Sequence, residues 1–162
     1  MKSIYEQLPL LNNFGLVSAW HSEKAIEINC QNHDQLKRNF ANLDFGIIEL
    51  KSHIRYVNGK IDGFYEERLF FVPMVNLYEL MLLGVKYQQS SVIYREQTTI
   101  KALDTKVGRV ISSLPFSTNN KLNDLKSVYI AYVQSRNNNI SFVKDVTLEK
   151  LQVYSTTDSS FL

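Results

Sequence analysis

The stretch from Glu66 to Tyr94 constrains this chain more than any other, because it reads as strand, capped helix, strand and is its most apolar part. Glu67 to Val72 is rich in β-formers, and Pro73 closes the run because it brings no N–H to a ladder. Asn76 followed by Glu79 has the spacing of a capping box, which predicts a helix from there to about Gln88. Leu77, Leu80, Met81, Gly84 and Val85 form its expected buried stripe. Leu82 and Leu83 extend the apolar surface nearly all round, so the helix is either enclosed by two layers or offers a docking face. Ser91 to Tyr94 is the next strand.

Other segments follow the same periodicities. Phe14 to Trp20 predicts a first strand after a lead-in with a short helical turn over 1–13. Ala25 to Leu43 predicts a helix with Ile28, Leu36, Phe40 and Leu43 on its apolar side. Ile47 to Val57 is a long strand, and Asn58-Gly59 is a two-residue hairpin signal of type I′ with Lys60 to Tyr65 as the returning arm. Short β-prone runs follow at Thr99–Leu103 and Lys106–Ser112, joined by Asp104-Thr105. Beyond a loop at 114–120, Lys121–Lys126 suits one helical turn. Val128–Gln134 and Ile140–Val146 suit a hairpin around Ser135–Asn139, Leu148–Tyr154 a last strand or short helix, and Ser155–Leu162 a loose tail. The expected architecture is a single α+β domain: a largely antiparallel sheet of about six to seven strands, with two main helices packed on one face.

Composition bounds the function classes. A chain of 162 residues, 44% hydrophobic and 21% charged, has enough apolar content for one core. The formal charge of +2 argues against coating nucleic acid by bulk electrostatics. Cys30 is the only cysteine, and no charged-then-apolar leader or long apolar run is visible. The expectation is a cytoplasmic protein with no intrachain disulfide and no membrane partner.

Few residues offer chemistry. His21, His33 and His53 lack the paired spacing of a metal site, so no metal or cofactor is expected. Cys30 reads as an ordinary half-buried thiol. Glu66 and Glu67, as strand neighbours, face opposite sides and cannot serve one cleft as a catalytic pair. No catalytic residue is assigned. Lys51, Arg55, Lys60, Arg95, Lys101, Lys106 and Arg109, interleaved with Tyr56, Tyr65 and Tyr94, would suit a nucleic-acid surface if the fold gathered them, although Glu49, Asp62, Glu96 and Asp104 lie among them.

Glu67-Arg-Leu-Phe-Phe-Val72, the helix ending at Leu83-Gly84, and Gln89-Ser-Ser91-Val-Ile-Tyr94 together carry a resemblance. Over roughly residues 14–96 the chain resembles a group of small uncharacterised domains common in bacteriophages and mobile elements. That group has a Glu-x-Ser-Phe strand, a helix and a Gln-x-Ser-Val-Ile-Tyr strand. Leu69 stands where the group has serine, so the polar signature is reduced to Glu67, Gln89 and Ser91. The resemblance implies a context rather than a reaction: a non-enzymatic module that binds and modulates a host protein in the host cytoplasm, counter-defence included. A small nucleic-acid-binding or nucleic-acid-processing domain is the alternative. The candidate binding residues are Glu67, Gln89, Ser91, Tyr94, Arg95, Leu82 and Leu83.

Overall fold

A computed structural model describes residues 13–115, 121–136 and 141–154. The helical turn expected before residue 13, most of the 114–120 loop, the hairpin tip at 137–139 and the tail at 155–162 lie outside the described residues. In chain order the elements are β1 (Asn13–Val17), α1 (Ile26–Asn42), β2 (Ile47–Asn58), β3 (Ile61–Pro73), α2 (Leu77–Lys86), β4 (Ser91–Glu96), β5 (Thr99–Asp104), β6 (Val110–Pro115), α3 (Lys121–Arg136) and β7 (Phe142–Tyr154). The described strands form one seven-stranded antiparallel sheet in the order β6-β5-β4-β1-β3-β2-β7, an α+β fold. None of the described helices is long and apolar enough to cross a membrane.

Strand alternation gives the sheet two buried faces. Phe14, Leu16, Leu50, Leu69, Phe71 and Ile93 point to one, and Val17, Phe70, Val72 and Val92 to the other. As expected, α1 and α2 share a face, through Leu36 and Phe40 and through Leu80 and Leu83. The opposite face is covered by α3, where the sequence predicts a helical turn at Lys121–Lys126 and a strand at Val128–Gln134. Val128, Tyr129, Ile130, Tyr132 and Val133 are good β-formers, which suggested a strand. Leu125, Val128, Tyr129, Tyr132 and Val133 nevertheless recur at three- and four-residue intervals, and all are buried. Each such side chain contributes about 1.5–3 kcal/mol on leaving water, enough to override local preference. The chain crosses the sheet along α3, from edge strand β6 to edge strand β7. Phe142–Val146 and Leu148–Tyr154, expected as separate segments, are one strand, β7, paired along β2.

Smaller corrections have local causes. The hairpin turn falls on Gly59-Lys60, since Asn58 pairs with Ile61, and Gly59 takes φ 65°. Of the two turn residues only Gly59 has positive φ, the requirement of a type II′ turn rather than type I′. Asp104 accepts main-chain N–H bonds from Lys106, Val107 and Arg109 at 3.1, 2.8 and 2.9 Å. The resulting turn delays β6 to Val110. Asn76 caps α2 by accepting the Glu79 N–H at 2.8 Å. On α1 the buried side is Asn29, His33, Leu36 and Phe40, whereas Ile28 and Leu43 are exposed.

A β-carbon on Gly15, in central β1, would lie 2.7 Å from Leu80 Cδ2 and 2.9 Å from Val75 Cγ1. Gly15 therefore sets how closely α2 approaches the sheet. Gly15→Val should lower unfolding free energy by about 1–3 kcal/mol through overpacking. A urea midpoint equal to wild type would contradict this packing.

Candidate functional site

β1 and β3 differ in length, and a gap in the sheet results. β1 ends at the pairing of Val17 with Phe70, whereas β3 begins at Ile61. Ser18 ends the shared ladder: its Oγ donates to Arg68 O at 2.8 Å and accepts from Trp20 N at 2.9 Å. Beyond it the chain turns through Trp20–Lys24 and leaves part of β3 without a neighbouring strand on that side among the described residues. A cleft of about 450 Å³ occupies this place, with Trp20, Ile26, Cys30, Lys51, Tyr65 and Glu67 among its walls. A second, more polar cleft of about 220 Å³ shares Trp20, Ser22 and Glu67 with it and adds His21, Gln89 and Arg136.

A buried ion pair lies between the clefts and α3. Glu67 Oε1 accepts from Arg136 Nη1 at 2.9 Å and from Tyr129 Oη at 3.0 Å. Arg136 Nη2 also donates to Trp20 O at 2.8 Å, and Gln89 Nε2 donates to the same carbonyl at 3.1 Å. The last turn of α3 is thereby tied to β3, to the Trp20 loop and to the lead-in of β4. Burial opposes charge on Arg136, but the facing Glu67 together with Tyr132, Tyr129 and Tyr65 outweighs it and holds the guanidinium above its ordinary pKa. The Tyr129 hydroxyl is pushed well up, by burial first and then by Glu67.

Asn29 holds the Trp20–Lys24 loop from the other side. Its Oδ1 accepts from His21 N at 3.0 Å, and its Nδ2 donates to His21 O at 2.8 Å. His21 Nε2 approaches Tyr87 O at 2.9 Å, so the loop is bound to the end of α2 as well. A short amide such as Asn29 is a weak helix former, and its placement one turn inside α1 is the available clue to this duty. Tyr129, Tyr132 and Arg136 escape sequence reasoning because the β-formers of their segment predict a strand followed by a loop.

The predicted residues separate into groups. Glu67 and Gln89 line one cleft. Gln89 precedes β4 rather than belonging to it, so it does not alternate with Ser91 as an earlier strand start would require. Ser91 is fully buried, with its Oγ 3.1 Å from Ser135 Oγ of α3. Tyr94 lies further along β4 on the α1/α2 face, and Arg95 on the other face sits 5.9 Å from the Phe14 ring and donates from Nε to Gln97 O. Leu82 is exposed, but Leu83 is buried in the core and is no docking residue. The cations considered for a nucleic-acid surface are also divided: Lys51 and Arg55 on β2 are separated by β3 and β1 from Arg95 on β4 and Lys101 on β5.

No protein-family model and no curated protein matches this chain.

Acidic groups near the site and on the sheet are held in their charged form. His33 Nε2 lies 3.6 Å from Glu49 Oε2, beyond hydrogen-bond reach yet close enough to favour the carboxylate. With Arg68 at 3.6 Å, this contact outweighs burial and lowers the Glu49 pKa. Glu66 is lowered chiefly by Lys51 at 2.9 Å. Groups with depressed folded-state pKa values contribute stability that is fully present above their unfolded values and lost as pH falls through the folded ones. Urea midpoints should therefore be level near neutrality and decline from about pH 4.5 downward. A flat profile to about pH 3 would contradict these pairings.

Glu67→Ala leaves Arg136 buried without its counter-charge, and should cost about 3–5 kcal/mol. The double variant Glu67→Leu with Arg136→Met should cost clearly less than the sum of its two single changes. Additive losses in denaturant unfolding would show that the pair is not coupled.

Proposed function

We propose that this chain is a protein-binding module, and that its contact surface is the outer face of α2. The observation carrying this reading is an apolar stripe in solvent: Tyr78, Leu82 and Val85 are 73%, 51% and 55% exposed, on a helix whose other side, Leu80, Leu83 and Gly84, is buried. Their spacing of i, i+4 and i+7 puts them on one ridge, continued by exposed Met74 and Leu77. Scattered exposed apolar residues are ordinary, but a contiguous ridge on a short helix is a recognition surface.

The shape favours a particular partner. A convex ridge of helical anchors fits an apolar groove on another protein, the helix-in-groove mode. The two clefts beside Trp20 carry charged groups at their mouths, so on a second copy they are a poorer match for this ridge. On the resemblance of residues 14–96 to phage and mobile-element domains, the proposed partner is a host protein whose activity the contact blocks. Glu67 and Ser91 support this division of labour: the first is committed to Arg136 and Tyr129, the second to Ser135.

A ridge carrying little charge should bind with weak salt dependence. In side-by-side pull-downs, wild type should retain a saturable partner that Leu82→Glu loses by roughly tenfold or more, with the melting temperature unchanged. Light scattering of the free protein should show a monomer. Equal capture by both proteins, or a dimer abolished by Leu82→Glu, would overturn the reading.

A further inference from the structure

We infer that the cleft in the sheet gap beside Trp20 is a site for a nucleoside monophosphate, independent of the α2 surface. Three kinds of group meet there, and together they specify an aromatic anion that also forms hydrogen bonds at its ring edge. Trp20 and Tyr65 supply aromatic wall, on which a planar base stacks regardless of sequence. Lys24, Lys51 and Arg68 line the same cleft and supply cationic partners for a phosphate. Lys51 and Arg68 also face Glu66 and Glu49, so the cationic character is moderate, matching one phosphate rather than a polyanion.

The third feature comes from the backbone. Successive strand residues direct their N–H and C=O to opposite edges. Arg68 turns its carbonyl toward β1, where Ser18 takes it. Glu66, two residues earlier, therefore turns its own N–H and C=O to the same side, where β1 has already ended and no ladder partner meets them among the described residues. A donor and acceptor fixed side by side are what an amide-like base edge pairs with. The volume, about 450 Å³, lies within the usual range for small-ligand sites, and the adjoining polar cleft leaves space for the sugar.

The protein carries its own reporters: Trp20 is the only tryptophan and Cys30 the only cysteine, and both line this cleft. Titration of AMP, GMP, CMP and UMP, followed by tryptophan fluorescence, should give a saturable change for at least one of them. Saturation with that nucleotide should slow iodoacetamide alkylation of Cys30 several-fold. The double variant Lys24→Ala with Lys51→Ala changes only cleft-rim side chains and should weaken binding by roughly tenfold, as should removal of the phosphate from the ligand. A tetranucleotide with or without a 5′-phosphate separates a free nucleotide from a strand end: competition by the phosphorylated form alone assigns the strand end to the same site. The inference is overturned if no mononucleotide gives saturation by about 5 mM, if inorganic phosphate binds equally well, or if Cys30 is not protected at saturation. Because Leu82→Glu leaves the cleft untouched, nucleotide binding should persist in that variant, so failure of one site does not entail failure of the other.

Discussion

The ion pair between Glu67 and Arg136 is the contact on which this arrangement depends. It joins the long central strand β3 to the end of the helix that packs on the second face, and Arg136 extends the connection to the Trp20 carbonyl. Two buried charges are costly unless both are satisfied, and here the carboxylate receives a second bond from Tyr129. The pair therefore favours one docking position of α3, the one that places Tyr129 and Arg136 opposite Glu67. Apolar packing beneath α3 provides most of the attraction but is non-directional. The ion pair supplies direction.

The Trp20–Lys24 loop shows how a short strand can create a site. β1 stops after five residues because Ser18 turns its hydroxyl to Arg68 O. The loop that follows is held by Asn29 from α1, by Arg136 from α3 and by Gln89 before β4. A loop restrained from three elements keeps the neighbouring gap open at a defined shape. The same hydrogen bonds explain why Gln89 is buried, and why Glu67 is better described as a positioning residue than as a reacting one.

The two faces of α2 serve different ends. Its inner side, with Leu80, Leu83 and Gly84, lies close to the sheet because Gly15 and Gly84 leave room. Its outer side keeps Tyr78, Leu82 and Val85 in water. Much of this was legible from the capping residue Asn76 and the excess of apolar positions. Which leucine faced which way was not, because an almost wholly apolar helix has no polar side from which to set its rotation. The sheet decided it.

What the sequence determined by itself was whatever depends on neighbours a few residues apart. The α+β class, the cap of α2, the β2–β3 hairpin, the extended character of β4 and β5, and the opposed directions of Glu66 and Glu67 all follow from local periodicity and turn chemistry. What only the tertiary structure decided was the identity of α3 as a helix, its place on the second face, and the meeting of Arg136 with Glu67 across 69 residues of chain. Tyr129 and Tyr132 belong to a segment whose local preference is for strand, and burial against the sheet reverses it. The cleft at Trp20 belongs to the same category, since it arises from β1 ending before β3 begins, a difference visible only once the two strands are paired.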